Sequence, residues 1–190
     1  MKKRLLSFIV CFSLSISNTI IANATTNTDI DWNKKLIDGR NIAYMINSGV
    51  EYTVSIPNAV NKLMYPSGLS NNLVLNITNN YMTSKLDFYQ YSAVDRINAS
   101  ASVYRKNSSG NYYNSTSEKD IYDWVYGEIQ INDNYMNNYN NTIREAILIH
   151  EMLHVYGLKD ISNSNSIMYY ATPKVTGVTS DANNVLNNKY

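Results

Sequence analysis

Along the earlier part of the chain, apolar and polar positions alternate in short runs broken by one helical stretch, and a long helical period begins near residue 143. Asn41–Ile46 (NIAYMI), residues 73–78, residues 85–91 and Ala99–Lys106 read as strands, and residues 128–132 (EIQIN) as a shorter one with Ile129 and Ile131 on one face. Between the first two, Ser55, Ile56 and Pro57 followed by Ala59, Val60, Leu63 and Met64 read as a helix, with the proline tolerable only near its start. The Ser/Asn/Gly/Tyr-rich stretch 107–117 reads as a surface loop. Residues 143–156 are strong helix formers, apolar on most sides, as in a helix at the centre of a domain. Thr142 and Glu145 fit a capping box at its start, and Gly157 ends it because glycine adopts the left-handed conformation cheaply. A last helix starts at Thr179 or Ser180 and runs through Leu186. Strands with one helix followed by two helices predict the α+β class.

The first residues follow another logic. Lys2, Lys3 and Arg4 precede an apolar stretch broken only by serines, and Ala22-Asn23-Ala24 forms an A-x-A exit, so residues 1–24 read as a signal peptide. The stretch is too short for a membrane anchor. Residues 25–40 read as a loose leader and residues 41–190 as one domain; no internal repeat or linker is visible. Export changes the charge, because three of the 16 basic residues leave, and 13 against 15 acidic residues is a net −2. That balance argues against nucleic-acid or membrane-surface binding. The one cysteine, Cys11, leaves with the signal, so the mature domain has no disulfide, thiol nucleophile or cysteine ligand. The Asn-x-Ser/Thr triplets at Asn76 and Asn98 read as chance matches in an Asn-rich chain.

The candidate chemistry lies on the central helix. His150 and His154 stand at i and i+4, so both imidazoles project from one helical face and can share a Zn²⁺ at about 2.0–2.1 Å. Glu151 beside the first is placed to deprotonate a water rather than to bind metal. The chain has two histidines, and chance would place them in an H-E-x-x-H pentad in roughly one of several thousand arrangements. A catalytic zinc takes three protein ligands and keeps one open position. With no cysteine, the third must be a carboxylate, and only Asp160 and Asp181 follow His154. Asp160, three residues past a turn-permitting Gly157, is the better placed; a solvated turn aspartate is its bland alternative.

Residues 150–160, H-E-M-L-H-V-Y-G-L-K-D, resemble the extended zinc motif of the metzincins, with an aspartate at the last position as in the snapalysin-like bacterial variant. Ser166-Ile167-Met168-Tyr169-Tyr170 resembles the Met-turn, and the short spacing from Asp160 is like that of the matrixins. The resemblance covers residues 127–190 specifically and the earlier part only in element order. It implies a twisted, mostly parallel sheet of about five strands with three helices, and a secreted, monomeric endopeptidase that binds peptide extended along an edge strand, here residues 98–104. It also implies one catalytic zinc, with Met168 structural and the stretch 169–178 walling the specificity pocket. Calcium is compatible with the resemblance but maps to no residue. There is no cysteine switch and no counterpart of the histidines that hold a second zinc. Tyr170 matches the position of a tyrosine that reaches the zinc in astacins and serralysins, so it is a candidate switchable ligand or oxyanion donor, with packing as the alternative. Two rival readings stay open: a secreted binding protein with a degenerate zinc site, and a zinc amidase acting on cell-wall peptides.

Overall fold

The computed structural model describes residues 30–190, so the signal-peptide reading and the start of the leader lie outside the described residues. Six strands form one mixed sheet: β1 (Asn41–Ile46), β2 (Val74–Ile77), β3 (Ser84–Tyr91), β4 (Ala99–Lys106), β5 (Tyr112–Asn114) and β6 (Tyr126–Asn132). Among the described residues, four α-helices with defined bounds accompany them: α1 (Ser55–Met64), α2 (Asp133–Met136), α3 (Asn141–Val155) and α4 (Ser180–Lys189). The sheet order is β2-β1-β3-β6-β4-β5. Neighbours from β2 to β6 run parallel, whereas β4 is antiparallel to both β6 and β5. The class is α+β.

Alternation along the strands sorts side chains between two faces. Leu86, Phe88, Ile129, Ile131 and Val103 are fully buried beneath α1 and α3. From α1 come Ile56, Ala59, Val60 and Leu63, the spacing that a one-sided helix needs. Residues 146–149 and Met152, Leu153 and Val155 make α3 apolar nearly all round, as a central helix must be. Its close approach to the sheet depends on Gly127, where an added Cβ would run into the Val155 side chain.

Four sequence expectations are corrected. The leader is not loose from residue 30 onward: Ile30 and Leu36 are fully buried, Lys159 N–H donates to Ile30 O at 2.8 Å, and Lys189 pairs with Asp31. Its apolar residues follow no regular period because they are anchored one at a time. Within the expected surface loop, Gly110 N–H donates to Asn107 O at 2.9 Å and reverses the chain, so Tyr112–Asn114 pairs with β4 as a sixth strand. Every residue of that strand is exposed, which is why no apolar alternation announces it. The short α2 is a fourth helix, capped by the Asn132 side chain. Finally, α3 has no Thr142–Glu145 capping box. Asn140 is the N-cap and accepts from Ile143 N–H, while Glu145 is buried and accepts from Asn58 and pairs with Lys62 at 2.7 Å, tying α3 to α1.

Candidate metal centre

The site forms where the end of α3 meets the chain that leaves it. Gly157, at φ +97°, terminates the helix: its N–H donates to His154 O at 3.1 Å, and Leu158 N–H reaches back to Leu153 O at 3.0 Å. This pair of bonds is a Schellman motif. The left-handed step also turns the Leu158 carbonyl toward His154, whose Nδ1 donates to it at 2.8 Å. His150 is held in the same way, its Nδ1 bonded to Ile167 O at 2.8 Å. Each ring therefore spends its N–H on a backbone carbonyl and keeps the Nε2 lone pair for something else.

The two Nε2 atoms lie 3.1 Å apart, and Asp160 Oδ1 lies 3.2 Å from His150 Nε2 and 3.4 Å from His154 Nε2. Three donors at about 2.0–2.1 Å from one tetrahedral ion would stand about 3.3–3.4 Å apart, so the triangle has the size that a zinc-like ion demands. His150, His154 and Asp160 form the one group of three or more such side chains among the described residues that could hold a metal ion. Both histidines are buried, while the Asp160 side chain is half exposed, leaving the group open on one side. Asp181, the other acidic residue after His154, sits instead in the first turn of α4.

Charge around the group is strongly coupled. Burial alone would raise the Asp160 carboxyl, but the close approach of His150 and His154 outweighs it and holds the group well below the usual carboxylate range. Burial pulls His150 down, yet Asp160 and the neighbouring Glu151 push it above its ordinary value overall. Glu151, buried, is raised by loss of solvent despite both imidazoles. A raised glutamate beside two imidazoles is suited to accepting and returning a proton.

A cleft of about 350 Å³ opens on His150 and Glu151 and is lined also by Asn98, Ala99, Tyr170 and Thr172 among others. Ala99 is the first residue of β4 and Asn98 immediately precedes it, and Thr172 lies in the expected specificity wall; Asn98 Nδ2 donates to Thr172 Oγ1 at 3.3 Å. Tyr170 shares the cleft but is 65% exposed, with its ring against Tyr169. Met168 is fully buried, and its turn is closed by Met168 N–H to Ser166 Oγ at 3.1 Å. The turn's contribution to the site is direct, since it supplies the Ile167 carbonyl that orients His150.

Two further residues are not signalled in the sequence. The Trp32 ring packs 5.5 Å from that of His154, and the buried Lys119 places Nζ 4.1 Å over Trp32. Burial lowers Lys119 to about 8, although the Glu151 and Asp160 carboxylates favour its charge. Both residues come from segments without periodicity, so only the folded chain brings them to the site. No protein-family model matches the chain, and no curated protein matches it.

Proposed function

We propose that this chain is an exported zinc-dependent endopeptidase of metzincin type. The observation that carries the reading is the triangle of His150 Nε2, His154 Nε2 and Asp160 Oδ1, with Glu151 on the same helix. Bound there, zinc would supply Lewis-acid polarisation of a carbonyl and lower the pKa of a water toward about 7. The residues do the rest. Ile167 O and Leu158 O fix the tautomer and direction of the two imidazoles. Asp160 contributes an anionic ligand, so the centre is one unit less positive than a three-histidine site. Glu151 takes the proton of the attacking water on its carboxylate and passes it to the leaving amine.

Substrate recognition follows from the edge of the sheet. Pairing with β5 covers only residues 104–106 of β4, so Ala99 to Ser102 have β6 as their one neighbouring strand among the described residues. An extended peptide adding to that edge would lie along the cleft that opens on Glu151. Tyr170 to Pro173, part of the expected specificity wall of residues 169–178, line the same cleft. Secretion rests on the reading of residues 1–24; no described helix is long and apolar enough to cross a membrane.

The test is Glu151→Gln assayed on casein and on a peptide library, with zinc content measured in parallel. Cleavage falls by about 10²- to 10⁴-fold while zinc stays bound. Full activity in that variant would sink the base assignment. Asp160→Ala loses both zinc and cleavage, and chelation of the wild type reproduces that loss. Zinc retention without cleavage of any peptide would favour a binding protein, and cleavage confined to cell-wall peptides would favour an amidase.

A further inference from the structure

The sheet face turned away from α1 and α3 holds a second cleft, of about 600 Å³, unrelated to the metal centre. Its floor is made by alternate residues of three strands: Asp87 and Tyr89 of β3, Tyr126 and Glu128 of β6, and Tyr104 of β4. Tyr81 and Tyr112 wall it, 73% and 53% exposed. The parallel register sets Asp87 directly against Glu128, so two acidic side chains face one another across neighbouring strands on one face. Such a pair destabilises a sheet unless something offsets it. Among the described residues neither carboxylate has an ion pair, and no lysine or arginine lines the cleft. Lys106, over the Tyr112 ring at 4.7 Å, pairs with neither.

Hydroxyls hold the two acids in place. Ser84 Oγ and Tyr89 OH donate to Asp87, at 2.5 and 3.4 Å, and Tyr126 OH and Tyr104 OH donate to Glu128, at 3.2 and 2.7 Å. Burial pushes Tyr104 up to about 12 and Tyr126 higher still, so both stay neutral donors with neutral ring faces. Rings of Tyr104 and Tyr112 each lie 5.5 Å from that of Tyr126, forming one continuous aromatic surface.

We propose that this cleft binds an organic cation, an ammonium or guanidinium head group, between the tyrosine faces and the Asp87–Glu128 pair. Volume, aromatic walls and uncompensated acidic charge are the three requirements of such a site, and all three coincide here. A dehydrated divalent metal is a poorer match. It takes six or more oxygens, whereas each of the four carboxylate oxygens here already accepts a hydroxyl hydrogen.

Isothermal titration calorimetry on the full mature chain tests the proposal, with separate arms for tetramethylammonium, arginine amide, calcium and glucose. One or both organic cations bind in the millimolar range, and calcium and glucose do not. Glu128→Gln and Tyr112→Ala each weaken binding by about three- to tenfold. Tyr112 is exposed enough for its truncation to leave the fold intact, which circular dichroism verifies. Glu151→Gln binds as the wild type does, since the metal centre takes no part. The proposal is overturned if neither organic cation titrates, if both cleft variants bind unchanged, or if calcium or glucose binds with the same Glu128 dependence.

Discussion

On β3 and β6, Leu86, Phe88, Ile129 and Ile131 face the helices, while Asp87, Tyr89, Tyr126 and Glu128 face away. The outer face of these strands and the helix side of the sheet each carry a polar site, and the two handle charge in different ways. On the outer face each carboxylate oxygen is met by a neighbouring hydroxyl, and the pair is left with surplus negative charge but no unmade hydrogen bond. On the helix side, two imidazoles and Asp160 turn their acceptor atoms toward one point, and a buried Lys119 stands over the Trp32 ring close enough to feel the Glu151 and Asp160 carboxylates. Converging acceptors suit a small, highly charged ion that replaces their hydrogen bonds. A hydroxyl-lined acidic cleft suits a large, diffuse cation that needs no ligand atoms freed.

The contrast can be broken most forcefully at Lys119. Its folded value of about 8 lies below the ordinary 10.5, so the unfolded chain binds more protons between those limits and stability rises with pH across them. Lys119→Met removes the buried charge. At pH 7 it should stabilise the chain by up to about 3 kcal/mol, a gain that fades as pH rises toward 10.5. Urea denaturation at pH 7 and pH 10 measures it; an equal gain at both would show that the cost is not one of charge. Gly127→Ala tests the tightness of the helix side. The added Cβ meets Val155, and overpacking of this kind costs about 2 kcal/mol in the same measurement. Stability unchanged by that substitution would mean that α3 can shift away from the sheet. The smallest effect separates two caps: Asn140→Ala should cost about 1 kcal/mol and the exposed Thr142→Ala much less, and the reverse order would restore the capping box.

Most of the metal centre was legible because its spacing is helical. His150 and His154 had to share a face once the helix formed, and Gly157 announced the turn that brings Asp160 back. Tyr170 lines the cleft, but its position two residues past Met168 said nothing of its 65% exposure. The strands with one buried face were equally readable through their alternation. Illegible were the elements whose partners are distant in sequence. Ile30 and Leu36 are anchored singly, Tyr112–Asn114 pairs through an exposed hairpin, and Glu145 turns from a local cap to Lys62 on another helix.

By itself, then, the sequence determined what period and spacing encode: an α+β chain, a buried helix with two imidazoles on one face, and a carboxylate as the candidate third member of their group. Only the tertiary structure decided which carbonyls aim those imidazoles, that Trp32 and Lys119 stand beside them, and that Asp87 and Glu128 oppose each other in a cleft lined by tyrosines. Local periodicity follows from backbone geometry and is written residue by residue. Register and side-chain convergence follow from which segments pack together, and a chain carries that information only once it is folded.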